Sequence, residues 1–336
     1  MIKEAIKKIS MDEDLTAAQM QRVMEEIMTG RAKTQQVVAF LQALSRKGET
    51  VEELTAAARI MRRHVIKINT KHRVILDTCG TGGDRKGTFN VSTAAAFVVS
   101  GCGIAVAKHG NRSVSSCCGS ADILEALGVN INLPKEKIEK CLDEAGIAFL
   151  FAQNLHPAMK YAMPARKEIG KRTIFNILGP LTNPAGATHQ LIGVYEKALT
   201  EKLAAVLNNL GSVHALLLHG EDGMDEITTT GKTFICEARA GGRSCLEVEP
   251  EDFGFKKARI EDLAGGSIQE NAESLMGLLN GKAGPKRDIV VLNAGAAVYA
   301  ADAAVTIKEG VKLAELSLDS KKALEKFELL KKHSLN

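Results

Sequence analysis

The chain has 336 residues, 45% of them hydrophobic, enough to bury a large core as one big domain or two unequal ones. Its formal net charge of +4 is small for this length and gives no case for a nucleic-acid coat or a membrane surface. Aromatic residues make up 4% and tryptophan is absent, which argues against base-stacking platforms. No apolar run has the length of a membrane span, and Met1-Ile2-Lys3-Glu4 lacks a signal-peptide core. Seven scattered cysteines, Cys79, Cys102, Cys117, Cys118, Cys141, Cys236 and Cys245, include no C-x-x-C pair. They read as reduced thiols, several of them buried as small apolar residues. The expectation is a soluble cytoplasmic protein.

The first seventy or so residues read as helices only. Thr16-x-x-Gln19 and Thr50-x-x-Glu53 have the form of capping boxes. The first precedes Met20, Val23, Met24, Ile27 and Met28 at helical spacing; the second precedes the stripe Leu54, Ala57, Met61 and Val65. Between them Thr34 opens a helix carrying Val38, Leu41 and Leu44 that ends near Gly48.

After Lys71 the pattern changes to strand–loop–helix alternation. Strand-like runs fall at 74–77, 104–107, 147–152, 190–195, 214–219 and 289–292, with helical patterns at 121–128, 135–145 and 198–210. This alternation predicts an α/β fold: a mostly parallel sheet flanked by helices, with a smaller all-helical N-terminal domain. The stretch 156–181 breaks the rhythm and is expected to cross back to the N-terminal helices. The predicted division is a helical domain over 1–70, joined by part of 156–190, and a large α/β domain over 71–336. The C-terminus, with Lys321, Lys322, Lys326, Lys331 and Lys332 opposite Ala323, Leu324, Phe327 and Leu330, reads as a solvated amphipathic helix.

Three loops carry the chemistry. Gly80-Thr81-Gly82-Gly83-Asp84 follows the apolar run Val74-Ile75-Leu76, and its glycines let free amides approach an anion. Its spacing matches neither the nucleotide P-loop nor the dinucleotide glycine fingerprint. Asn90-Val91-Ser92-Thr93 then opens the apolar helix from Ala94, where capping and anion binding are compatible roles. Lys108-His109-Gly110-Asn111-Arg112 follows a second strand; a lysine there needs a partner, either a bound pyrophosphate or a carboxylate such as Asp84. His109 alone reads as structural. Asp225-Glu226 follows a third strand, and adjacent carboxylates at a sheet's edge suit Mg²⁺ bridging to substrate phosphates.

These motifs resemble the anthranilate phosphoribosyltransferase family across nearly the whole chain. The resemblance extends through Cys118-Gly119-Ser120-Ala121-Asp122, His156-Pro157-Ala158-Met159, Arg166, Arg172-Thr173-Ile174-Phe175-Asn176 and Leu178-Gly179-Pro180-Leu181-Thr182-Asn183-Pro184. It departs slightly, with Ser113 where alanine is usual and Met224 where leucine is usual. It implies transfer of phosphoribose from phosphoribosyl pyrophosphate to the amine of anthranilate, a step of L-tryptophan biosynthesis. Gly80, Gly82, Gly83, Asp84, Thr88, Asn90, Ser92, Thr93, Lys108 and Ser120 would then hold phosphoribosyl pyrophosphate. Gly80, Asn111, His156, Arg166 and Gly179 would line the anthranilate path, with Arg166 on the carboxylate. Ser92, Asp225 and Glu226 would hold two Mg²⁺ ions, and no side chain would serve as a covalent nucleophile. The resemblance also implies a homodimer through the helical domain and no nucleic-acid or membrane partner. The competing expectations are a pyrimidine nucleoside phosphorylase and a non-catalytic nucleic-acid-binding paralogue.

Overall fold

The computed structural model describes residues 1–84, 86–113 and 118–335; Cys117 lies outside them. One seven-stranded sheet organises the chain: β1 Ile75–Gly80, β2 Ala105–Gly110, β3 Ile147–Phe151, β4 His189–Gly193, β5 His214–Gly220, β6 Thr233–Arg239 and β7 Gly242–Val248. Their order is β3-β2-β1-β4-β5-β6-β7. The first five pair in parallel, whereas β6 and β7 are antiparallel additions at one edge. The fold is therefore a mostly parallel α/β sheet with an N-terminal helical bundle.

Side chains alternate across the sheet with the two-residue period of a strand. Leu191, Leu216 and Leu218 face a core built with helices Val91–Gly101, Pro285–Ala300 and Ile307–Asp319. Ile192, Ala215 and Leu217 face the opposite core, which continues through helix Lys197–Asn209 into the N-terminal helices. Ala162, Ala165, Phe175 and Leu178, from the segment after His156, belong to this second core. No helix among the described residues is long and apolar enough to cross a membrane.

The N-terminal helices start where their caps place them. Thr16 accepts from the Gln19 amide at 3.3 Å and Thr50 from that of Glu53 at 3.1 Å. Glu53 is fully buried, and it also accepts from the Leu15 amide at 2.9 Å and from Lys47 at 3.0 Å. One capping carboxylate thus ties three segments of the bundle together. The C-terminal helix Lys322–Leu335 buries Ala323, Phe327 and Leu330 and exposes Lys322 and Lys332, while Lys326 and Lys331 are half-buried and Lys326 donates to the Ala145 carbonyl.

Two sequence expectations are corrected. The run 289–292 is not a strand; it lies within helix Pro285–Ala300, where Ile289 through Val298 are buried on every side. A helix buried all round has the apolar density of a parallel strand and loses its 3.6-residue signature. It also packs unusually closely: a Cβ on Gly295 would lie 2.5 Å from the Val311 backbone nitrogen. The hairpin β6–β7 was not anticipated, because β7 is exposed along nearly its whole length and its composition is polar. Of the described cysteines, Cys118, Cys141 and Cys236 are buried, Cys79 and Cys102 half-buried, and Cys245 exposed.

Candidate active site

The glycine loop begins where β1 ends, beside the ends of β4 and β5. The Thr81 amide donates to the Gly193 carbonyl at 2.9 Å, and Thr81 Oγ1 accepts from the Tyr195 amide at 3.1 Å. Gly82 and Gly83 have φ of +65° and +77°, the region that favours glycine. Gly82 then turns its amide to Asp225 Oδ2 at 3.0 Å. The two loops meet so closely that a Cβ on Gly80 would lie 2.7 Å from the same Oδ2, and one on Gly193 1.6 Å from the Asp225 carbonyl oxygen. Asp222, accepting from the Met224 amide and the Thr228 hydroxyl, and Asn293, bonded both ways to the Ile227 backbone, hold this second loop in place.

Negative charge accumulates here, and burial and mutual repulsion outweigh the nearby Lys108 and Arg172. Burial, then the charge of Asp84, pushes Asp225 up to about 6. Burial, then Asp225, pushes Glu226 well above the usual carboxylate range, and burial raises Asp84 as well. Among the described residues no three His, Cys, Asp or Glu side chains make a complete metal cage. Mg²⁺ needs none, because it keeps several waters and takes one or two carboxylates plus substrate oxygens. Hard carboxylate oxygens that repel one another are the donor set such an ion relieves.

Lys108, on β2, is buried beside them. Its Nζ donates to the Thr78 carbonyl at 2.6 Å and to Ser92 Oγ at 3.3 Å. Burial lowers its pKa against the pull of Asp77 and Glu226. Its companions are these groups rather than Asp84, which corrects the alternative drawn from sequence. Asp84 lies across the carboxylate cluster, next to Asp225.

At the start of helix Val91–Gly101, Thr93 donates to Ser120 Oγ at 3.0 Å and Asn90 Nδ2 to the Cys118 carbonyl at 3.2 Å. Asn90 Oδ1 is buried with no partner. Thr88 bridges to Ala264, which anchors the segment between the glycine loop and this helix.

The second half of the site is lined by uncharged groups and one arginine. His109 and His156 face each other with Nε2 atoms 3.1 Å apart and stacked rings. Burial pushes His109 down to about 3 and His156 to about 4, and the Gly179 backbone hydrogen-bonds His109. Asn111 accepts from Gln153 at 3.2 Å. Arg166, on helix Met163–Ile169, packs its guanidinium 5.7 Å from the Phe175 ring centre. Burial lowers its pKa, and its one polar contact is Met163 Sδ at 3.7 Å, so among the described residues no carboxylate pairs with it.

Two residues that shape the site carry no role in the sequence reading: Asp77, and Arg172, which stands there only within a motif. Asp77, fully buried in β1, accepts from the His109 amide at 3.0 Å and from Asn183 at 2.8 Å. Burial raises it to about 6. An acid inside an apolar strand is a usable signal, since a buried carboxylate requires partners. Arg172 donates to the Gly83 carbonyl and lies 3.8 Å above the centre of the Tyr195 ring. Its sequence context, an exposed arginine in a loop, carries no such signal.

Two family descriptions match the chain: a glycosyl transferase family α/β domain over residues 72–324 and a glycosyl transferase family helical bundle domain over 3–65. The chain is 52% identical to the anthranilate phosphoribosyltransferase of Pelobacter propionicus, over 98% of each sequence. The anthranilate phosphoribosyltransferase structure from Thermus thermophilus superposes with a TM-score of 0.94 at 42% identity, covering 99% of both chains. That from Saccharomyces cerevisiae in complex with phosphoribosyl pyrophosphate and Mg gives 0.90 at 28% identity, over 99% of this chain and 98% of the other.

Proposed function

The chain belongs to the anthranilate phosphoribosyltransferase family, and on that premise we propose how the carboxyl edge of its sheet carries out the reaction. The protein transfers phosphoribose from phosphoribosyl pyrophosphate to the amine of anthranilate, giving N-(5-phosphoribosyl)anthranilate and pyrophosphate for L-tryptophan biosynthesis. It is a Mg²⁺-using pentosyltransferase. Its relatives support neither the nucleoside phosphorylase nor the nucleic-acid-binding alternative.

One observation carries the assignment of the site: glycine-loop amides, Lys108 and the raised carboxylates of Asp225 and Glu226 converge at one edge. Anthranilate brings its own nucleophile, so no covalent intermediate on the protein is required. The barrier lies in the departure of pyrophosphate from an oxocarbenium-like ribose. The loop of Gly80, Gly82 and Gly83 lets the leaving group approach the backbone closely, and Lys108 meets the negative charge that develops on it. Asp84, Thr88, Asn90, Ser92, Thr93 and Ser120 hold the sugar phosphate in register with it, and the orphaned Asn90 Oδ1 is free to accept a hydroxyl. Ser92, Asp225 and Glu226 would hold Mg²⁺, as two ions, and bound Mg²⁺ supplies positive charge to the departing pyrophosphate.

Arg166 grips the anthranilate carboxylate. Its planar fork suits a bidentate contact, and no protein carboxylate competes for it among the described residues. Asn111, Gly179 and His156 orient the amine, beside imidazoles that burial keeps uncharged at neutral pH. The proposal further includes a helical domain of residues 1–70 joined by part of 156–190, a large domain of 71–336, a homodimer through the helical domain, and a cytoplasmic location without nucleic-acid or membrane partners.

The direct test follows anthranilate fluorescence. It should decay only when phosphoribosyl pyrophosphate and Mg²⁺ are both added; a signal unchanged by the pair would overturn the reading.

A further inference from the structure

Away from the carboxyl edge, the hairpin β6–β7 places two cysteines in direct register. Cys236 pairs with Cys245, and Arg239 with Gly242 on either side of the turn. The turn consists of Ala240 and Gly241, with φ of +49° and +78°, a two-residue connection of type I′. The pair flanking such a turn exchanges its backbone hydrogen bonds, and bonded and non-bonded pairs alternate from there. Cys236 and Cys245 are three steps further on, which makes them a non-hydrogen-bonded pair. At such a pair the Cα atoms are about 4.5 Å apart and the side chains leave the same face of the sheet. That separation falls in the range of about 4.4–6.8 Å that a disulfide spans. Cys245 also acts on the Cys236 thiol, helping burial to raise it. Among the described residues the other cysteine in a strand, Cys79, stands opposite Ile192.

The two sulfurs are unequal. Cys245 is exposed on the outermost strand, while Cys236 is buried and its thiol is pushed up to about 12, by burial and then by Cys245. The outer sulfur meets an oxidant first, and the inner one resolves it.

We propose that Cys236 and Cys245 are a site of reversible oxidative modification, closing a cross-strand disulfide when the folded protein meets a peroxide. The Cys245 thiolate attacks one peroxide oxygen, the O–O bond breaks, and Cys245 becomes a sulfenic acid with release of hydroxide. The Cys236 sulfur then attacks the sulfenic sulfur. The S–O bond breaks, the S–S bond forms, and the departing hydroxide leaves as water with the Cys236 proton. Two thiols are oxidised and one peroxide is reduced to two waters. A thiol reductant reverses the bond.

The test treats the folded, reduced full-length protein with hydrogen peroxide, blocks remaining thiols and digests with trypsin. Cleavage after Lys232, Arg239 and Arg243 puts the two cysteines on separate peptides, 233–239 and 244–256. The expected product is these peptides joined, lighter by two hydrogens than their sum, with both thiols lost to alkylation and regained after dithiothreitol. Peroxide should raise the unfolding midpoint of the wild type and leave that of Cys245→Ser unchanged, with basal activity the same in both reduced proteins. In Cys236→Ala, Cys245 should accumulate as a sulfenic acid that dimedone traps. Over-oxidised Cys245 beside an alkylatable Cys236 in the wild type, or Cys236 joined mainly to another cysteine, would overturn the proposal.

Discussion

The two ends of the parallel strands carry charge clusters of opposite character. At the carboxyl end, Asp84, Asp225 and Glu226 crowd together and each is pushed upward, because burial and repulsion outweigh the cations near them. At the amino end, where β4 begins at His189 and β5 at His214, acids and bases stand in pairs, although His214 Nε2 makes no hydrogen bond. Buried His214 stands between Asp302, 2.9 Å from Nδ1, and Glu237, 2.8 Å from Nε2. Arg239 reaches Asp302 at 2.8 Å and Tyr299 donates to Glu237 at 2.8 Å. Against the upward push of burial, the hydrogen bond with His214 and the charges of Arg239 and His189 hold Asp302 below its usual range. The cluster of paired acids and bases is a structural clasp; the crowded carboxylates are built to receive something.

The largest expected effect separates the two ends. Asp225→Asn with Glu226→Gln should lower kcat/KM by about 10²–10³, the scale for losing transition-state charge stabilisation, at little cost in thermal stability. Asp302→Asn should do the reverse, lowering stability by about 1–3 kcal/mol in denaturant titrations while kcat stays near wild type. A large loss of activity from Asp302→Asn would erase the distinction.

Proton linkage sharpens the same contrast. Asp225 is raised to about 6, so its ionised form is disfavoured by the fold. Between the ordinary carboxylate value and about 6, stability from this group falls as pH rises. Mg²⁺ bound to the ionised form reverses that loss, and protons compete with it at lower pH. Added Mg²⁺ should therefore raise the unfolding midpoint more above about pH 7 than below about pH 5. Asp302 has the opposite sign. Its lowered value stabilises the fold above the ordinary carboxylate pKa, and that contribution disappears as pH falls through the depressed value.

Arg166→Ala should raise the KM for anthranilate at least about tenfold, the loss of a charged hydrogen-bonded contact, with a much smaller change for phosphoribosyl pyrophosphate. An equal rise in both would remove Arg166 from the anthranilate path. The smallest effect is local: Thr16→Ala should cost about 1 kcal/mol in stability through its cap and leave the kinetics unchanged.

Much of this contrast is readable from the sequence at the carboxyl end and little of it at the amino end. The glycine loop, Lys108 and Asp225-Glu226 each follow an apolar run, so a parallel sheet necessarily delivers them to one edge. His214 and Asp302 are 88 residues apart, and no local pattern joins them. The same holds for Arg172, whose partner is a backbone carbonyl 89 residues away. The hairpin β6–β7 was hidden because an alanine, rather than asparagine or glycine, occupies the first left-handed position of its turn. The buried helix of residues 285–300 imitated a strand because burial on all sides removes its periodicity.

The most direct measurement is the initial rate of phosphoribosyl transfer as Mg²⁺ is titrated, in the wild type and in the Asp225→Asn/Glu226→Gln variant. The carboxyl-edge assignment predicts that the variant's Mg²⁺ response weakens and shifts to higher concentration. An unchanged Mg²⁺ dependence in the variant would contradict it.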